Sequence, residues 1–373
     1  PTCVLVAGAK RGAIYDFNSG KVFSINHSAL ELLKSCQDQP LTKVLDINSP
    51  DNAKLINFLE KLTNLGLGSL HFQPVETSPP PVLDPPELEF MWLEITSRCN
   101  NRCLHCYSVS SPTVNIDCVP HERWLELIDE GRQAGATAIQ LIGGEPLLYP
   151  RWRDLVIKAR QAGYEWIEIY TNATLIDDTD IAFFQEHEVS IATTIYASNA
   201  AIHDQVTGNP GSFDRTVAAV KKVLAAGIPL RIASIIMKVN EHEAKNIMQF
   251  CRDLGVEVSP PDVIRPTGRG EDKSLLPTAY NNRPISPPFF TDPETFYKAT
   301  CQHTCLAGKL AVTSTGDVIP CIFARNQICG NILTQSLQAI ISGELLQQCW
   351  HTTKDMIAKC KDCEYRYACA DCR

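Results

Sequence analysis

The chain lacks an apolar run long enough to cross a membrane. None of its 373 residues fall in an apolar stretch of 18 or more, whereas a membrane-spanning helix needs about 20. It also lacks the charged segment followed by an apolar segment that marks a signal peptide. We therefore expect a protein that neither spans a membrane nor is exported by that route.

Clustered positive charge is lacking as well. Residues 1–75 contain no cluster of Lys and Arg, and the formal net charge of the whole chain is −8. Proteins that bind nucleic acid usually present a basic patch to the phosphates. This composition argues against nucleic acids and other polyanions as partners.

Cysteine, by contrast, is abundant, with 16 residues in the chain. Cys99, Cys103 and Cys106 form a tight triplet in the segment SRCNNRCLHCY, where an apolar stretch ends and a loop begins. Three thiolates without a nearby fourth ligand suit a metal cluster that keeps one position open. The alternative is a zinc knuckle, but such a site normally needs four protein ligands. No second pair of ligands follows within reach of Cys106.

The hydrophobic periodicity of the middle of the chain predicts alternating strands and helices. We predict strands near residues 90–96, 138–142, 166–170, 190–196, 230–237 and 256–264. Amphipathic helical patterns lie between them, and several end at a glycine, which suits a helix C-terminus. Six such βα units predict an α/β fold with a partial parallel barrel. The strand ends of such a barrel carry the chemistry.

Several of these strand ends carry residues suited to binding a ligand. The second strand leads into the sequence GGEP, where the glycines let the backbone approach a ligand closely. Thr171 and Asn172 end the third strand, and Thr194 ends the fourth. The alternative for GGEP by itself is an ordinary βα turn.

A second cysteine system lies in the last third of the chain. Cys305 is followed by Gly316 after ten residues and then by Cys321 after four more. Four further cysteines are separated by two, five and two residues, namely Cys360, Cys363, Cys369 and Cys372. Paired cysteines of this kind also occur in zinc sites. Disulfides are a further alternative, although they belong to oxidising compartments.

The first 75 residues differ in character from the rest. The segments CVLVAGA, GAIYDF and KVFSI predict short strands, and HSALELLKSC and DNAKLINFLEKLTNLG predict amphipathic helices. The proline-rich run at residues 73–87 predicts an extended spacer at a domain boundary. A second proline-studded region, at about residues 260–292, is expected to line a substrate channel.

The cysteine triplet, followed by GGEP about 40 residues later, resembles the radical S-adenosylmethionine superfamily. In that family three cysteines bind three irons of a [4Fe-4S] cluster, and S-adenosylmethionine binds the fourth. The resemblance assigns this cluster to Cys99, Cys103 and Cys106. It assigns S-adenosylmethionine to His105, Gly143, Gly144, Glu145, Pro146, Thr171, Asn172 and Thr194. Many relatives bind the methionine carboxylate with an Arg where this chain has Thr207, so Arg231 and Lys238 are the candidate substitutes.

The second cysteine system, together with GNI at residues 330–332, resembles the SPASM domain of peptide-modifying radical enzymes. That domain holds auxiliary [4Fe-4S] clusters. The resemblance assigns the nearer auxiliary cluster to Cys301, Cys305, Cys321 and Cys372. It assigns the outer cluster to Cys360, Cys363 and Cys369. The family pattern has one more Cys downstream, so either that ligand lies outside the given sequence or the outer cluster has an open or non-cysteine ligand. One or two auxiliary clusters are therefore expected.

The first 75 residues resemble the winged-helix RiPP recognition element, which binds leader sequences by adding a peptide strand to a sheet edge. A DNA-reading winged helix and a dimerisation arm are the alternatives. The predicted domains are a leader-binding domain (1–75), a linker (76–87), a radical S-adenosylmethionine barrel (88–270), a bridging region (271–300) and a SPASM domain (301–373).

These resemblances imply a cytoplasmic peptide maturase, with the grasp-with-spasm type as the nearest subgroup. It would receive electrons from a flavodoxin or ferredoxin and abstract hydrogen from a precursor peptide made of leader and core. The expected product is a side-chain cross-link, either a cyclophane or a thioether. Alternatives are formylglycine formation, as in sulfatase maturases, epimerisation with a cysteine hydrogen donor, and a zinc-scaffolded module that only binds peptides. The sequence indicates neither a catalytic residue nor an oligomeric state.

Overall fold

The computed structural model describes residues 2–46, 48–71, 73, 81–257, 259–280 and 287–370. Contacts divide the chain into two compact units. The terminal unit, as we call it, comprises Pro1–Pro86, Ile285–Ala307 and Trp350–Arg373, and the barrel unit comprises Glu87–Pro284 and Gly308–Cys349. Each unit thus combines segments that are distant in sequence, and the domain boundaries predicted above remain predictions.

The elements of both units follow in chain order. The strands are β1 (Cys3–Ala7), β2 (Arg11–Asp16), β3 (Lys21–Asn26), β4 (Phe90–Glu94), β5 (Ala138–Ile142), β6 (Trp166–Tyr170), β7 (Ser190–Thr194), β8 (Leu230–Ala233), β9 (Ile235–Ile236), β10 (Asp262–Val263), β11 (Lys309–Val312), β12 (Asp317–Ile319) and β13 (Gly330–Asn331). The α-helices are α1 (His27–Asp38), α2 (Leu41–Val44), α3 (Ala53–Asn64), α4 (His121–Gln133), α5 (Trp152–Ala162), α6 (Asp178–Glu186), α7 (Ala200–Thr207), α8 (Ser212–Ala225), α9 (Ala244–Asp253), α10 (Pro293–Cys301), α11 (Leu337–Ile341) and α12 (Glu344–His351). Among the described residues, no helix has the length and apolarity needed to span a membrane.

The terminal unit is built around an antiparallel sheet with the order β1-β2-β3. On one face, Ile14 and Ile25 form a core with Leu62 of α3. On the other face, Tyr15 packs against Phe296 of α10 at a centroid distance of 4.9 Å. The sheet is therefore covered on both faces, once by the helices that follow it and once by segments from the end of the chain.

The barrel unit contains a sheet with the strand order β13-β12-β11-β4-β5-β6-β7-β8. Strands β11, β4, β5, β6, β7 and β8 pair in parallel, whereas β12 and β13 pair antiparallel. After a break at Ser234, β9 pairs in parallel with β10. This is an α/β partial barrel, as the sequence predicted.

The two faces of the parallel strands have different chemistry. Leu93, Leu141 and Ile169 occupy equivalent register positions on one face and are no more than 1% exposed. Helix α4 packs closely on that side, since a Cβ at Gly131 would overlap Met91. The other face carries buried polar residues, among them Gln140 and Glu168. We call this polar side the inner face.

The predicted strands near residues 90, 138, 166, 190 and 230 are confirmed, with bounds that differ by a few residues. The sixth, predicted over residues 256–264, was too long, because among the described residues of that range only Asp262–Val263 forms a strand. The Val256 N–H instead donates to the Cys251 carbonyl and closes the end of α9. Two prolines, Pro260 and Pro261, then lack the N–H needed for strand pairing. Strands β11 to β13 were not predicted.

Candidate active site

The cysteine triplet lies in the loop that follows β4. Cys99 is buried, while Cys103 and Cys106 are partly exposed. The Cys99 sulfur accepts a hydrogen bond from the Asn101 backbone N–H at 3.4 Å. The Cys106 sulfur lies 3.3 Å from the Ser108 hydroxyl. Two of the three sulfurs therefore already take part in hydrogen bonds within the loop.

The protonation of these thiols bears on what they can bind. Burial, with the nearby Glu145 carboxylate, raises the pKa of Cys99 to about 12. Burial also raises the pKa of Cys103 well above its usual range, and the other two thiols add to that rise. Thiolates here consequently need a bound cation for stabilisation. An iron–sulfur cluster provides one, with thiolates as its ligands.

In the described ranges, no three His, Cys, Asp or Glu side chains are grouped closely enough to hold a single metal ion. Cys106 nevertheless contributes to the raised pKa of both Cys99 and Cys103, so the three thiols lie near each other. A donor set made only of cysteine sulfur favours soft metal ions and iron–sulfur clusters over oxygen-preferring ions. The residues present therefore fit the cluster that the sequence implied.

The GGEP loop runs in backbone contact with the segment before the triplet. Gly143 has a φ of +151°, and a Cβ there would overlap the Thr96 carbonyl. A Cβ at Gly144 would overlap the Arg98 carbonyl. The Gly144 N–H donates to the Thr96 carbonyl at 2.8 Å. Glycine is required here because two backbones meet.

Glu145 joins the ends of β5 and β6 through its side chain. Its carboxylate is fully buried and accepts hydrogen bonds from the Thr171 hydroxyl at 2.6 Å and the Asn172 N–H at 2.8 Å. Burial raises the pKa of Glu145 to about 7, although these donors oppose the rise. Pro146 follows in a buried 3-10 turn, Pro146–Leu148. The carboxylate thus holds the GGEP loop to the end of β6.

Asn172 connects these strand ends to the triplet. Its side-chain amide donates to the Asn100 side chain at 2.7 Å and lies 3.9 Å from the Cys99 sulfur. The structure therefore brings GGEP, Thr171 and Asn172 together beside the triplet. Their contacts with S-adenosylmethionine remain predictions.

Thr194 and His105 lie near two buried tyrosines. The Thr194 hydroxyl is 2.8 Å from the Tyr170 hydroxyl. The His105 ring packs edge-on against Tyr196 at a centroid distance of 5.0 Å. Burial lowers the pKa of His105 to about 4, and its Nδ1 atom is buried without a hydrogen-bond partner. A buried polar atom without a partner calls for an explanation, and a bound cofactor that completes its bonding would supply one.

The candidate residues for binding the methionine carboxylate differ in their exposure and in the hydrogen bonds and ion pairs that they already form. The Arg231 guanidinium binds the Glu168 carboxylate at 2.9 and 2.6 Å. Lys238 is exposed, and the buried Thr207 hydroxyl bonds Ser212 at 2.7 Å. Binding the carboxylate through Arg231 would require competition with Glu168, and the assignment stays a prediction.

Two supports of the triplet loop are separated from it in sequence. The Asp117 carboxylate accepts from the Thr96 hydroxyl at 2.7 Å and from the Ser97 N–H at 2.6 Å. Arg269, which follows β10, donates to the Cys103 carbonyl at 2.8 Å. No periodicity or spacing identified Asp117, because its contacts depend on a loop conformation. For Arg269, the sequence indicated only that the proline-studded region containing it, at about residues 260–292, lines a substrate channel.

A pocket of about 480 Å³ lies beside the triplet loop in the barrel unit. Tyr107, Phe323 and Arg325 are among its lining residues. The two rings meet edge-on at 5.3 Å, and Arg325 pairs with the buried Glu94 on the inner face. The volume falls within the usual range of ligand sites.

The second cysteine system is spread over both units. Cys301 ends α10, and Cys305, Cys360, Cys363 and Cys369 lie in loops and turns of the terminal unit. Cys321 follows β12 in the barrel unit. Cys372 lies outside the described residues. The grouping of these cysteines into two clusters therefore remains a prediction.

Comparison with known families agrees with both cysteine systems. The Radical SAM superfamily matches residues 93–251. The iron–sulfur cluster-binding SPASM domain matches residues 301–364. The two matches contain the triplet and five of the seven cysteines assigned to the auxiliary clusters, and Cys369 and Cys372 lie beyond them.

Individual relatives extend these matches. An AdoMet-dependent heme synthase of Methanosarcina barkeri is 26% identical over 314 residues, covering 75% of this chain and 89% of the relative. The subtilosin biosynthesis protein AlbA of Bacillus subtilis is 25% identical over 299 residues, covering 75% of this chain and 66% of the relative. The crystal structure of Streptococcus suis SuiB bound to S-adenosylmethionine has a TM-score of 0.60 at 14% identity, covering 99% of this chain and 93% of that chain.

The family matches and the cysteine-rich site assign S-adenosylmethionine and iron–sulfur clusters as the cofactors. The chain is a radical S-adenosylmethionine enzyme with a SPASM iron–sulfur domain, as its cysteine spacing predicted.

Proposed function

We propose that this enzyme is a maturase of ribosomally made precursor peptides. The observation that carries the proposal is the N-terminal segment of the terminal unit, in which the sheet β1-β2-β3 is followed by the helices α1 to α3. The fold match to SuiB covers 99% of this chain, and SuiB has also been solved with its precursor peptide SuiA. AlbA, in turn, is named for the biosynthesis of a bacteriocin.

The edge of β3 offers a surface for a leader peptide. Alternate residues of a strand share a face, so Phe23 lies on the same side as Ile25, which packs against the helices. Phe23 nevertheless remains 38% exposed. An extended peptide placed beside β3 would cover it by strand addition.

Part of this edge is already paired within the terminal unit. The Val22 N–H donates to the Phe289 carbonyl at 3.2 Å. Because N–H groups on one edge alternate along a strand, those of Ser24 and Asn26 point the same way. The proposed leader therefore pairs with the second half of β3.

When bound, the cluster and S-adenosylmethionine supply the 5′-deoxyadenosyl radical that abstracts a hydrogen atom from the peptide. The chain's own residues hold and orient the reactants. The triplet would hold the cluster, and the loop braced by Glu145 would face S-adenosylmethionine. The pocket beside Tyr107 and Phe323 would receive the peptide segment next to the reacting residue.

The proposed product is a side-chain cross-link, either a cyclophane or a thioether. Its formation removes two hydrogen atoms from the peptide, so a second electron must leave the substrate. The SPASM cysteines would hold the acceptor for that electron. A flavodoxin or ferredoxin is the proposed reductant, and the cytoplasm is the proposed location.

Leader binding is better tested with a point variant than by deleting residues 1–75. Deletion would remove Tyr15 from its packing against Phe296 and would damage the terminal unit. Phe23→Ser removes one exposed ring and leaves that core in place. We expect KM for a leader-plus-core peptide to rise about tenfold, since a Phe contact contributes about 1.5–3 kcal/mol.

The assay uses short peptides encoded beside the gene of this chain, with turnover followed by mass spectrometry under anaerobic conditions. Leu345→Ser is the matched control, because it removes an exposed apolar side chain, 55% exposed, from the barrel unit. KM for the core without its leader should be equal in parent and variant. An unchanged KM for the leader-plus-core peptide would contradict leader binding at β3.

The same assay distinguishes the products. A cross-link loses two hydrogen atoms and prevents separate fragmentation of the joined residues. Formylglycine reacts with an aldehyde reagent, and epimerisation incorporates deuterium from solvent without loss of mass. Formation of 5′-deoxyadenosine with no change in any peptide would reject the maturase proposal.

A further inference from the structure

Arg269 makes more contacts with the triplet loop than a surface arginine would need. It lies in the 3-10 turn Gly268–Glu271 after β10. Its backbone N–H donates to the Cys106 carbonyl at 3.0 Å. Its guanidinium donates through Nε to the Cys103 carbonyl and through Nη2 to the Ser110 carbonyl, both at 2.8 Å. One residue thus binds three carbonyls of a single loop.

The turn that carries Arg269 is in backbone contact with the same loop. Gly268 has a φ of +58°, and a Cβ there would overlap the Tyr107 carbonyl. The position therefore needs glycine for both its conformation and its space. This backbone contact holds Arg269 next to the triplet loop independently of the hydrogen bonds of its side chain.

The charge of Arg269 is not neutralised by an acidic partner. None of the ion pairs found among the described residues includes it, and both guanidinium hydrogen bonds end on neutral carbonyls. The guanidinium reaches the triplet directly, because its Nε donates to the carbonyl of Cys103 at 2.8 Å. A positive charge at this place stabilises added negative charge.

We propose that Arg269 is a positioning residue that fixes the triplet loop, and that its unpaired positive charge raises the reduction potential of the cluster held there. Reduction adds one electron to the cluster, so a nearby cation favours the reduced form. This inference rests on the cluster and not on the peptide substrate. It can therefore fail or succeed independently of the proposed function.

Two variants separate charge from geometry. Arg269→Gln removes the charge, whereas Arg269→Lys keeps the charge but cannot donate in the same fork to the Cys103 and Ser110 carbonyls. Arg265→Gln is the matched control, because Arg265 lies in the same segment with its guanidinium over the Phe323 ring at 4.8 Å. All three are tested in the full chain after anaerobic cluster reconstitution.

The first measurement is a dithionite titration followed by electron paramagnetic resonance, using the signal that changes when S-adenosylmethionine is added. For Arg269→Gln we expect about a tenfold lower ratio of reduced to oxidised cluster at a fixed potential, which corresponds to about 59 mV for a one-electron couple. Arg269→Lys and Arg265→Gln should stay near the parent. An unchanged potential in Arg269→Gln, or an equal shift in Arg265→Gln, would overturn the role of the charge.

The second measurement is the rate of iron release to a chelator. Arg269→Lys should release iron several-fold faster than the parent, because the loop loses a bidentate clamp. Release at the parent rate would overturn the positioning role. If Arg269→Gln holds no iron, Arg269→Lys decides the proposal alone: a parent-like potential with faster release supports it, and a lowered potential overturns it.

Discussion

The two cysteine systems are both braced by arginine, but the two arginines differ in their partners. At the triplet, Arg269 donates to the Cys103 carbonyl and has no acidic partner among the ion pairs described. In the terminal unit, Arg366 donates to the Cys363 carbonyl at 3.0 Å and binds Asp355 at 2.6 Å. Each system therefore has an arginine, but the charge of Arg269 has no acidic partner among the described ion pairs, whereas the charge of Arg366 is paired with Asp355.

This difference indicates what each system requires. The triplet loop is held by Asp117, which accepts from the Ser97 N–H, and by the Glu145 N–H, which donates to the Arg98 carbonyl. It also keeps a positive charge at the Cys103 carbonyl. The C-terminal cysteines lie in short turns, such as the one closed by the Cys363 N–H and the Cys360 carbonyl at 2.9 Å. The buried Lys354 supports them by donating to the Cys369 carbonyl. The first system thus has a cation without an acidic partner among the described ion pairs, whereas the second is held by short turns and by an arginine paired with Asp355.

Removing each set of thiols gives the largest expected effects. Replacing Cys99, Cys103 and Cys106 by Ala should reduce 5′-deoxyadenosine formation to the level without enzyme, because no thiolate remains for the cluster. Replacing Cys360 and Cys363 by Ala should retain 5′-deoxyadenosine formation but abolish the modified peptide. Anaerobic chromatography of the nucleoside, with iron analysis, checks both. Equal loss of the nucleoside in the two variants, with iron retained in the second, would show that the systems do not act separately.

Glu145 should give a pH-dependent effect on stability. Its folded-state pKa of about 7 lies above its ordinary value of 4.5, so the folded state binds more protons between these pH values. Its contribution to the free energy of unfolding therefore falls as pH rises from about 4.5 to 7, by at most about 1.4 kcal/mol per pH unit. Glu145→Gln should remove this slope, as measured by denaturant unfolding at pH 5, 6 and 7.

The control for that measurement is Glu186→Gln, which alters an exposed residue of α6. Its unfolding curves should keep the pH slope of the parent. If Glu145→Gln keeps the slope too, the carboxylate is not protonated on folding in this range, and the argument from its burial is wrong.

Arg366→Gln is expected to have the smallest effect of this group. The variant loses its bond to Asp355 and its donation to the Ala7 carbonyl at 2.8 Å. The free energy of unfolding should fall by about 1–3 kcal/mol, while the potential of the S-adenosylmethionine-responsive cluster stays unchanged. Denaturant unfolding and the same potentiometric titration test this, with the exposed Arg252→Gln as control. A shifted potential of that cluster in Arg366→Gln would show that Arg269 is not distinguished from Arg366 by its effect on the cluster.

Secondary structure in the barrel unit followed closely from periodicity where strands and helices alternate. β5 and β6 have the predicted bounds, since each is a short apolar run between clear helical patterns. The prediction was wrong for the extent of the sixth strand, where prolines and a helix end interrupt the apolar residues. Strands β11 to β13 were missed, because a four-residue strand such as Lys309–Val312 depends on its pairing with β4 more than on its own sequence.

The sequence alone determined the chemistry of this protein: the thiol triplet, GGEP and the C-terminal cysteines are local patterns whose spacing is set by the ligands they serve. The tertiary structure alone decided what surrounds those ligands. Asp117, Glu145 and Arg269 reach the triplet loop through hydrogen bonds with Ser97, Arg98 and Cys103, and the last of these joins residues 166 positions apart. Such contacts leave no periodic trace, because they depend on loop conformations that form only when the strand ends are brought together.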